Sequence, residues 1–385
     1  MKQKLQFSFC LQQFSLWGSY GFLFSYANRY LLAQGLSNTE AGLLLGIVTA
    51  LAFVLQPLLT ALVDRSGISC RGVVVIGIAV TGLSCCGLLV FPGLWVQILL
   101  YGLACVALQV LPSFSNALAM AAIHRGQRLN FSFARGFGSI SFGVGAQLAV
   151  PLMERWGLGV IPGGTALLCL LLLISCIPFS HRAAAADEGS PDPIGVFFRN
   201  NKPFVLFLIA AVLLYIGHNA LSSYMFQIAV FKGDGNAQGT ALLIAAVSEI
   251  PTIFLFSLLL KWKSSGKWVC LSGVFLTLRL FMTLLLPGIG GLYAAQLFQI
   301  LGYALFCVST VYYVGQTIDK RNVVKGQTYL GITNTFGALL AHFTGGLLID
   351  LVGVRSMMFI CASISMLGMA LLFVAVHKEA AKTRA

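Results

Sequence analysis

Residues 158–179 read LGVIPGGTALLCLLLLISCIPF, a run with no charged side chain. The hydrocarbon core of a bilayer is about 30 Å thick, and about 20 apolar residues of helix cross it. Similar runs recur along the whole chain of 385 residues, of which 58% are hydrophobic and 9% charged. A soluble protein carries roughly 25% charged residues. The sequence therefore predicts a polytopic membrane protein and excludes a soluble globule.

The apolar runs are too long for strands of a membrane barrel and lack the alternation of such strands. Because backbone in lipid must satisfy its hydrogen bonds internally, we expect an all-α fold with twelve transmembrane helices in two six-helix halves. One long polar stretch, which begins SHRAAAADEGSPDP at position 180, divides the chain. The predicted parts are an N-terminal half (1–180), a cytoplasmic linker (181–202) and a C-terminal half (203–385).

The two halves share a short sequence pattern. Gly126-Gln127 precedes Phe137-Gly138 at nearly the distance that separates Gly326-Gln327 from Phe336-Gly337. Parallel repeats of this kind place a solute site at their interface, near the middle of the membrane.

The positions of Lys and Arg predict the orientation. With the N-terminus inside, 18 of the 24 lie in cytoplasmic segments, four lie outside and two fall within spans. This bias predicts an inner-membrane protein with both termini in the cytoplasm. It also explains the net charge of +13 without a nucleic acid partner. The predicted partners are the lipid bilayer, a small solute and possible protons, and we expect a monomer.

The ten cysteines lie mostly within apolar runs and show no CxxC pair or metal-ligand spacing. They are interpreted as small packing residues. Ser37-x-x-Glu40 is typical of a helix capping box, which gives Glu40 a structural role. The sequence predicts no cofactor and no metal. It also offers no cluster of His, Asp or Glu near one membrane face, so an enzyme or a sensor is the disfavoured class.

Glu249 stands in the middle of the predicted eighth span, in AAVSEIPTIF. An acid there costs about 2.5–3.5 kcal/mol on insertion scales, so a partner, water or a proton must offset the cost. Intramembrane ionisable groups usually mark solute or proton pathways. We therefore predict that Glu249 binds solute and couples protons, with a structural ion pair as the alternative.

Two arginines fall within spans, Arg279 on the ninth and Arg135 near the start of the fifth. Arginine keeps its proton, so Arg279 needs a carboxylate, carbonyls, water or an anionic solute. We predict that it compensates Glu249, with a permanent packing salt bridge as the alternative. Arg135 and Phe142 share a helix face and suit a hydroxylated solute, because a guanidinium donates paired hydrogen bonds and a ring stacks on a sugar. A snorkelling cytoplasmic arginine is the other interpretation of Arg135.

Two spans carry polar stripes. Gln296 and Gln299 lie three residues apart on the tenth, and His218 and Asn219 lie on the seventh. Such stripes line an aqueous cavity or bond neighbouring helices, and the sequence favours neither. All four residues are candidates for solute binding.

The chain resembles the major facilitator superfamily in its twelve spans, its central loop and the turn Asp64-Arg65-x-Gly67 after the second helix. The resemblance implies a gating role for Asp64, Arg65 and Gly67. More narrowly, FARGFG around Arg135 together with Glu249 and Arg279 is similar to the oligosaccharide/proton symporter branch that includes lactose permease. This likeness implies that Arg135 and Glu249 bind sugar and that an aromatic ring at Phe142 stacks on it.

The chain departs from that branch at several positions. Thr60 replaces the first glycine of the turn, and Ala117 replaces an acid of the fourth helix. Gln299 and Gly302 stand where the branch has a histidine and a glutamate. The acids of helix seven and the lysine of helix eleven fall near Asn219, Ser222 and Gly337. The resemblance therefore implies that part of the sugar site is retained and that most of the proton relay is replaced by neutral groups.

These observations predict a secondary active transporter that works by alternating access on a small polar solute, with a sugar or oligosaccharide favoured and proton coupling expected. A proton-independent facilitator, a nucleoside symporter and a drug or cation efflux pump stay open as alternatives.

Overall fold

The computed structural model describes residues 2–66, 69–124, 127, 129–179, 193–319 and 322–384. All regular elements in these ranges are helical, which confirms the all-α fold. The helices in chain order are α1 (Lys2–Leu23), α2 (Ala27–Ala33), α3 (Asn38–Ser66), α4 (Cys70–Val90), α5 (Leu94–His124), α6 (Phe131–Trp156), α7 (Val160–Ser175), α8 (Ile194–Asn200), α9 (Lys202–Ser223), α10 (Met225–Lys232), α11 (Ala237–Leu259), α12 (Ser265–Leu285), α13 (Gly288–Gln296), α14 (Tyr303–Thr317) and α15 (Val323–Arg384).

Within the described ranges, nine helical segments are long and apolar enough to cross a membrane. The apolar α7 is shorter, and α1 has the length but carries several glutamines and serines. α15 runs for 62 residues and is divided at Gly353, whose φ of +80° suits a residue without a side chain. The membrane-spanning architecture is therefore confirmed, and the count of twelve stays a prediction.

The chain forms two compact units. Unit 1 comprises Met1–Ala186 with Gln238–Val247, and unit 2 comprises Asp187–Ala237 with Ser248–Ala385. The predicted boundaries at 180 and 203 stay predictions. Residues 194–200 of the predicted linker form α8, which buries Phe197 completely within unit 2.

Three of the spans, the first, the seventh and the tenth, contain a short break in the helix. The first breaks into α1 and α2 at residues 24–26, and the seventh breaks into α9 and α10 at Tyr224. The tenth contains a 3₁₀ turn, Leu297–Ile300, between α13 and α14. At Gly302 the backbone leaves the helical region (φ −86°, ψ −103°), and a Cβ there would lie 2.9 Å from the Phe298 carbonyl oxygen. Hydropathy contains no signal for such breaks.

The first and seventh spans are fixed in the same way within their own units. The Tyr26 hydroxyl donates to the carbonyl of Ala146 on α6, beside the first break. The Tyr224 hydroxyl donates to the carbonyl of His342 on α15, at 2.9 Å, beside the second. The matched pairs support the internal repeat that the sequence suggests.

Gly21 sets the approach of α1 to α6, and its replacement gives a stability test. A Cβ at Gly21 would lie 2.7 Å from the backbone oxygen of Phe142 and 3.3 Å from its Cα. Because backbone cannot yield as a side chain tip can, Gly21→Ala should destabilise unit 1 by about 1–3 kcal/mol. We expect a lower midpoint of thermal unfolding for the purified protein.

Gly163→Ala on α7 is the matched control, because its Cβ would meet only Leu89 at 3.9 Å. Equal midpoints for the two variants would show that the α1–α6 contact does not depend on glycine.

Candidate functional site

Unit 2 holds a carboxylate and an amide in contact. The Gln299 Nε2 donates to Glu249 Oε1 at 2.7 Å, which joins the 3₁₀ turn to α11. One helical turn further on, Thr252 Oγ1 donates to the Ile300 carbonyl at 2.6 Å. Gln299 is only 4% exposed, and among the described residues no group donates to its Oε1. The pair therefore presents an acidic oxygen and a buried amide oxygen, both hydrogen-bond acceptors.

Arg279 on α12 lies fully buried beside this pair. Its Nε donates to Gln296 Oε1 at 3.2 Å, its Nη2 donates to the same oxygen, and its Nη1 lies 3.3 Å from His218 Nδ1. The guanidinium also interacts electrostatically with the Glu249 carboxylate. Gln296 and His218 take the hydrogen bonds of Arg279, and its compensation of Glu249 stays a prediction.

The bond to Arg279 fixes the state of His218. A guanidinium only donates, so His218 Nδ1 must accept and a neutral ring carries its proton on Nε2. The imidazole stacks on Tyr303 with ring centroids 4.1 Å apart and planes 2° from parallel. His218 is therefore held on both its edge and its face.

Asn219, the next residue on α9, bonds across unit 2 instead. Its Nδ2 donates to Asn334 Oδ1 at 3.1 Å and to the Tyr215 carbonyl at 2.9 Å. Ser223 Oγ lies 2.9 Å from His342 Nε2, a contact that joins α9 to α15. Asn334 was missed, because nothing in its sequence context separates it from other polar residues of α15.

Unit 1 places Arg135 against an indole. The Arg135 Cζ lies 4.0 Å from the centroid of the Trp17 ring, and its Nη1 lies 3.4 Å from Ser139 Oγ. Phe142, two turns further along α6, is half-buried and meets Gly21 through its backbone. The aromatic partner of Arg135 in unit 1 is therefore Trp17, which sequence reasoning did not identify.

A buried polar network anchors Trp17. Its Nε1 donates to Gln13 Oε1 at 3.1 Å, and the Gln13 amide reaches Ser115 Oγ on α5 at 3.5 Å. Ser115 Oγ in turn donates to Gln12 Oε1 at 3.0 Å. Gln12 and Gln13, two adjacent amides within an apolar run, indicate such a network in the sequence. Their partner Ser115 could not be identified in this way, because it lies about a hundred residues away along the chain.

The predicted gating turn follows α3. Gly67 and the side chains of Asp64 and Arg65 lie outside the described residues, so its role stays a prediction.

Comparisons with known proteins find the same architecture. The family described as MFS_1 like family matches residues 7–360. A variant of the nucleoside transporter NupG aligns with a TM-score of 0.79 and 17% identity over 97% of this chain and 99% of that one. A bacterial homologue of the human lysosomal transporter Spinster, inward-facing and unoccupied, aligns with a TM-score of 0.71 and 12% identity over 98% and 97%. No curated protein matches the sequence.

Proposed function

This chain belongs to the MFS_1 like family and is a multi-pass secondary transporter, and from that premise we propose that it moves a small, hydroxyl-rich solute by alternating access. A sugar or oligosaccharide is favoured. The proposal includes an inner-membrane location with both termini in the cytoplasm, a monomeric state and no enzymatic activity.

The pair of Glu249 and Gln299 carries this proposal. A carboxylate inside a membrane-spanning helix is costly and usually marks a solute or ion pathway. Beside it, the Gln299 Oε1 is buried and accepts no hydrogen bond from the described residues. A buried acceptor without a donor costs about 1–3 kcal/mol. Solute hydroxyl groups are donors that would satisfy both oxygens.

Arg135 supports the same class of solute within unit 1. Its Cζ lies 4.0 Å from the centroid of the Trp17 ring, and a guanidinium is a hydrogen-bond donor that suits the oxygens of a solute. A cationic drug is a poorer match for this side chain, because Arg135 would repel it.

Glu249 is the proposed proton carrier. In unit 2 its carboxylate accepts a hydrogen bond from the Gln299 amide and interacts electrostatically with the Arg279 guanidinium. A solute bound to the two acceptor oxygens would offset the negative charge of Glu249, and so would a proton bound to the carboxylate. Because both act on the same charge, the transport of the solute is coupled to that of the proton. A facilitator without proton coupling is the alternative, since the neutral Gln299 and Gly302 cannot relay a proton.

Nucleoside transport is the second candidate. NupG, one of the structural matches, is a nucleoside transporter. Arg135 also lies against the half-exposed ring of Trp17, and an aromatic side chain favours a solute that carries an aromatic ring.

Uptake into proteoliposomes tests the proposal. We expect the purified protein to accumulate at least one labelled sugar or nucleoside, and to accumulate more of it with an inward pH gradient. Equal plateaus with and without the gradient would identify a facilitator. Thermal stabilisation by lipophilic cations but by no sugar or nucleoside would replace the proposal with drug efflux.

A further inference from the structure

The helix α11 begins in one unit and ends in the other. It is one continuous helix, yet its residues Gln238–Val247 belong to unit 1 and its residues from Ser248 onward belong to unit 2. We call Gln238–Val247 the α11 leading segment. A single helix thus carries the chain from unit 1 to unit 2.

The Gln238 amide fixes the start of the α11 leading segment. Gln238 is fully buried, and its Nε2 donates to the carbonyl of Ser25. Ser25 lies in the break between α1 and α2, so the break provides the main-chain acceptor for this bond. The Gln238 Oε1, in contrast, is buried and accepts no hydrogen bond from the described residues. A buried acceptor without a donor is unfavourable, so this contact is weaker than a fully paired amide would make it.

Small residues bring the α11 leading segment close to α6. Gly239, Leu243 and Ala246 share one helix face. A Cβ at Gly239 would lie 2.9 Å from the Ala146 carbonyl oxygen, and a Cβ at Gly143 would lie 3.0 Å from the Ala246 Cβ and 3.1 Å from Leu243 Cδ1. These are packing contacts, which separate without breaking a hydrogen bond.

A proline weakens α11 at the end of the α11 leading segment. Pro251 lies inside the helix and has no N–H to donate to the carbonyl of Val247, four residues earlier. Val247 is the last residue of α11 that belongs to unit 1. Sharp bends in long helices occur mostly at such prolines. Glu249, the proposed proton carrier, lies within the same turn.

Other prolines inside described helices lack this placement. Pro57 of α3, Pro112 of α5 and Pro151 of α6 lie in helices that belong wholly to unit 1. Within the described ranges, α11 is the helix that combines an internal proline with membership in both units. The weakened turn therefore coincides with the change of unit.

From these contacts we propose that Pro251 is a hinge about which the α11 leading segment detaches from α1 and α6 during the transport cycle. The inference rests on the alternating access proposed above and goes beyond the solute site. Detachment breaks the bond from Gln238 to Ser25 and exposes the Gln238 Oε1 to new donors. Because Glu249 lies in the hinge turn, a solute or proton that binds there acts directly on the bend.

Cysteine labelling tests the hinge without any solute. Ala246→Cys places a thiol on the α11 leading segment, where the native side chain is 5% exposed and packs against Gly143. A polar maleimide, added to the full-length protein in lipid nanodiscs, should label this thiol when the segment detaches. Peptide mass spectrometry distinguishes it from the ten native cysteines. The labelling rate, relative to that of denatured protein, measures detachment.

Two substitutions, each combined with Ala246→Cys, should change the labelling rate in opposite directions. Pro251→Ala restores the helical hydrogen bond to Val247, so labelling should slow about fivefold, the effect of one net hydrogen bond. Gly239→Ala places a Cβ against the Ala146 carbonyl oxygen, which cannot yield, so labelling should become about tenfold faster.

Pro112→Ala and Gly163→Ala are the matched controls, because α5 and α7 lie wholly in unit 1 and a Cβ at Gly163 meets only Leu89 at 3.9 Å. Both should label at the rate of Ala246→Cys alone. Thermal unfolding reports whether each variant is folded. If Gly239→Ala does not fold, Pro251→Ala decides the proposal, since it adds a hydrogen bond and removes none.

Every result supports or overturns the hinge. Unchanged labelling in Pro251→Ala, or an equal change in Pro112→Ala, overturns it. A folded Gly239→Ala variant with unchanged labelling shows that the contact with α6 does not hold the segment, which also overturns the proposal. Because no solute is used, failure of the hinge leaves the proposed solute class intact, and failure to transport any sugar or nucleoside is a separate result.

Discussion

Glu249→Gln should abolish proton-driven accumulation of the solute while leaving solute exchange across the membrane. The substitution retains the shape and the oxygen that Gln299 Nε2 contacts, but it removes the group that takes up a proton. With one proton per solute, a gradient of one pH unit supports about tenfold accumulation, since 1.4 kcal/mol is a tenfold ratio. We expect this ratio to fall to unity in proteoliposomes.

Glu154→Gln is the control, because Glu154 is an exposed acid at the end of α6. It should accumulate solute as the wild type does. Accumulation that survives in Glu249→Gln would remove Glu249 from coupling. Loss of exchange as well would show that the ionised carboxylate itself binds the solute.

Arg279→Leu should abolish transport and destabilise unit 2. Arg279 is 2% exposed, and the leucine would leave Gln296 Oε1 and His218 Nδ1 without their donor. It would also leave Glu249 without the cation that attracts it. A buried polar group that loses its hydrogen-bond partner costs about 1–3 kcal/mol, and two such groups lose theirs here, so we expect a large fall in the midpoint of thermal unfolding.

Arg155→Leu is the control, because Arg155 is exposed in the last turn of α6, and it should change neither transport nor stability.

The double variant Glu249→Gln with Arg279→Leu separates two explanations of the loss of stability in Arg279→Leu. If the carboxylate and the guanidinium compensate each other, the double variant is less destabilised than the sum of the single variants. Strict additivity would show that Arg279 acts only through Gln296 and His218.

The charged candidates of the site could be selected from the sequence, because ionisable residues are rare within apolar membrane-spanning runs. Glu249, Arg279 and Arg135 are the ionisable groups that interrupt long apolar runs. Their positions within apolar runs, and the cost of placing a charge in the hydrocarbon core, can be read from the sequence alone. Their partners were not predictable, since Trp17 and Gln299 resemble any other polar or aromatic residue of a span until distant helices are brought together.

Sequence by itself determined the features that arise from composition and short spacing. The membrane-spanning helices follow from hydropathy, and the capping box is present as Ser37 and Glu40 bond each other's backbone N–H. Both depend on neighbours along one chain segment or on contact with lipid.

Only the tertiary structure decided where the helices break, which groups accept hydrogen bonds from Arg279 and which ring Arg135 covers. The break near Gln299 requires a close approach at Gly302, and the Trp17 network joins α1 to α5 and α6. These contacts depend on the register of packed helices, and that register is set by many side chains together rather than by any pattern within one segment.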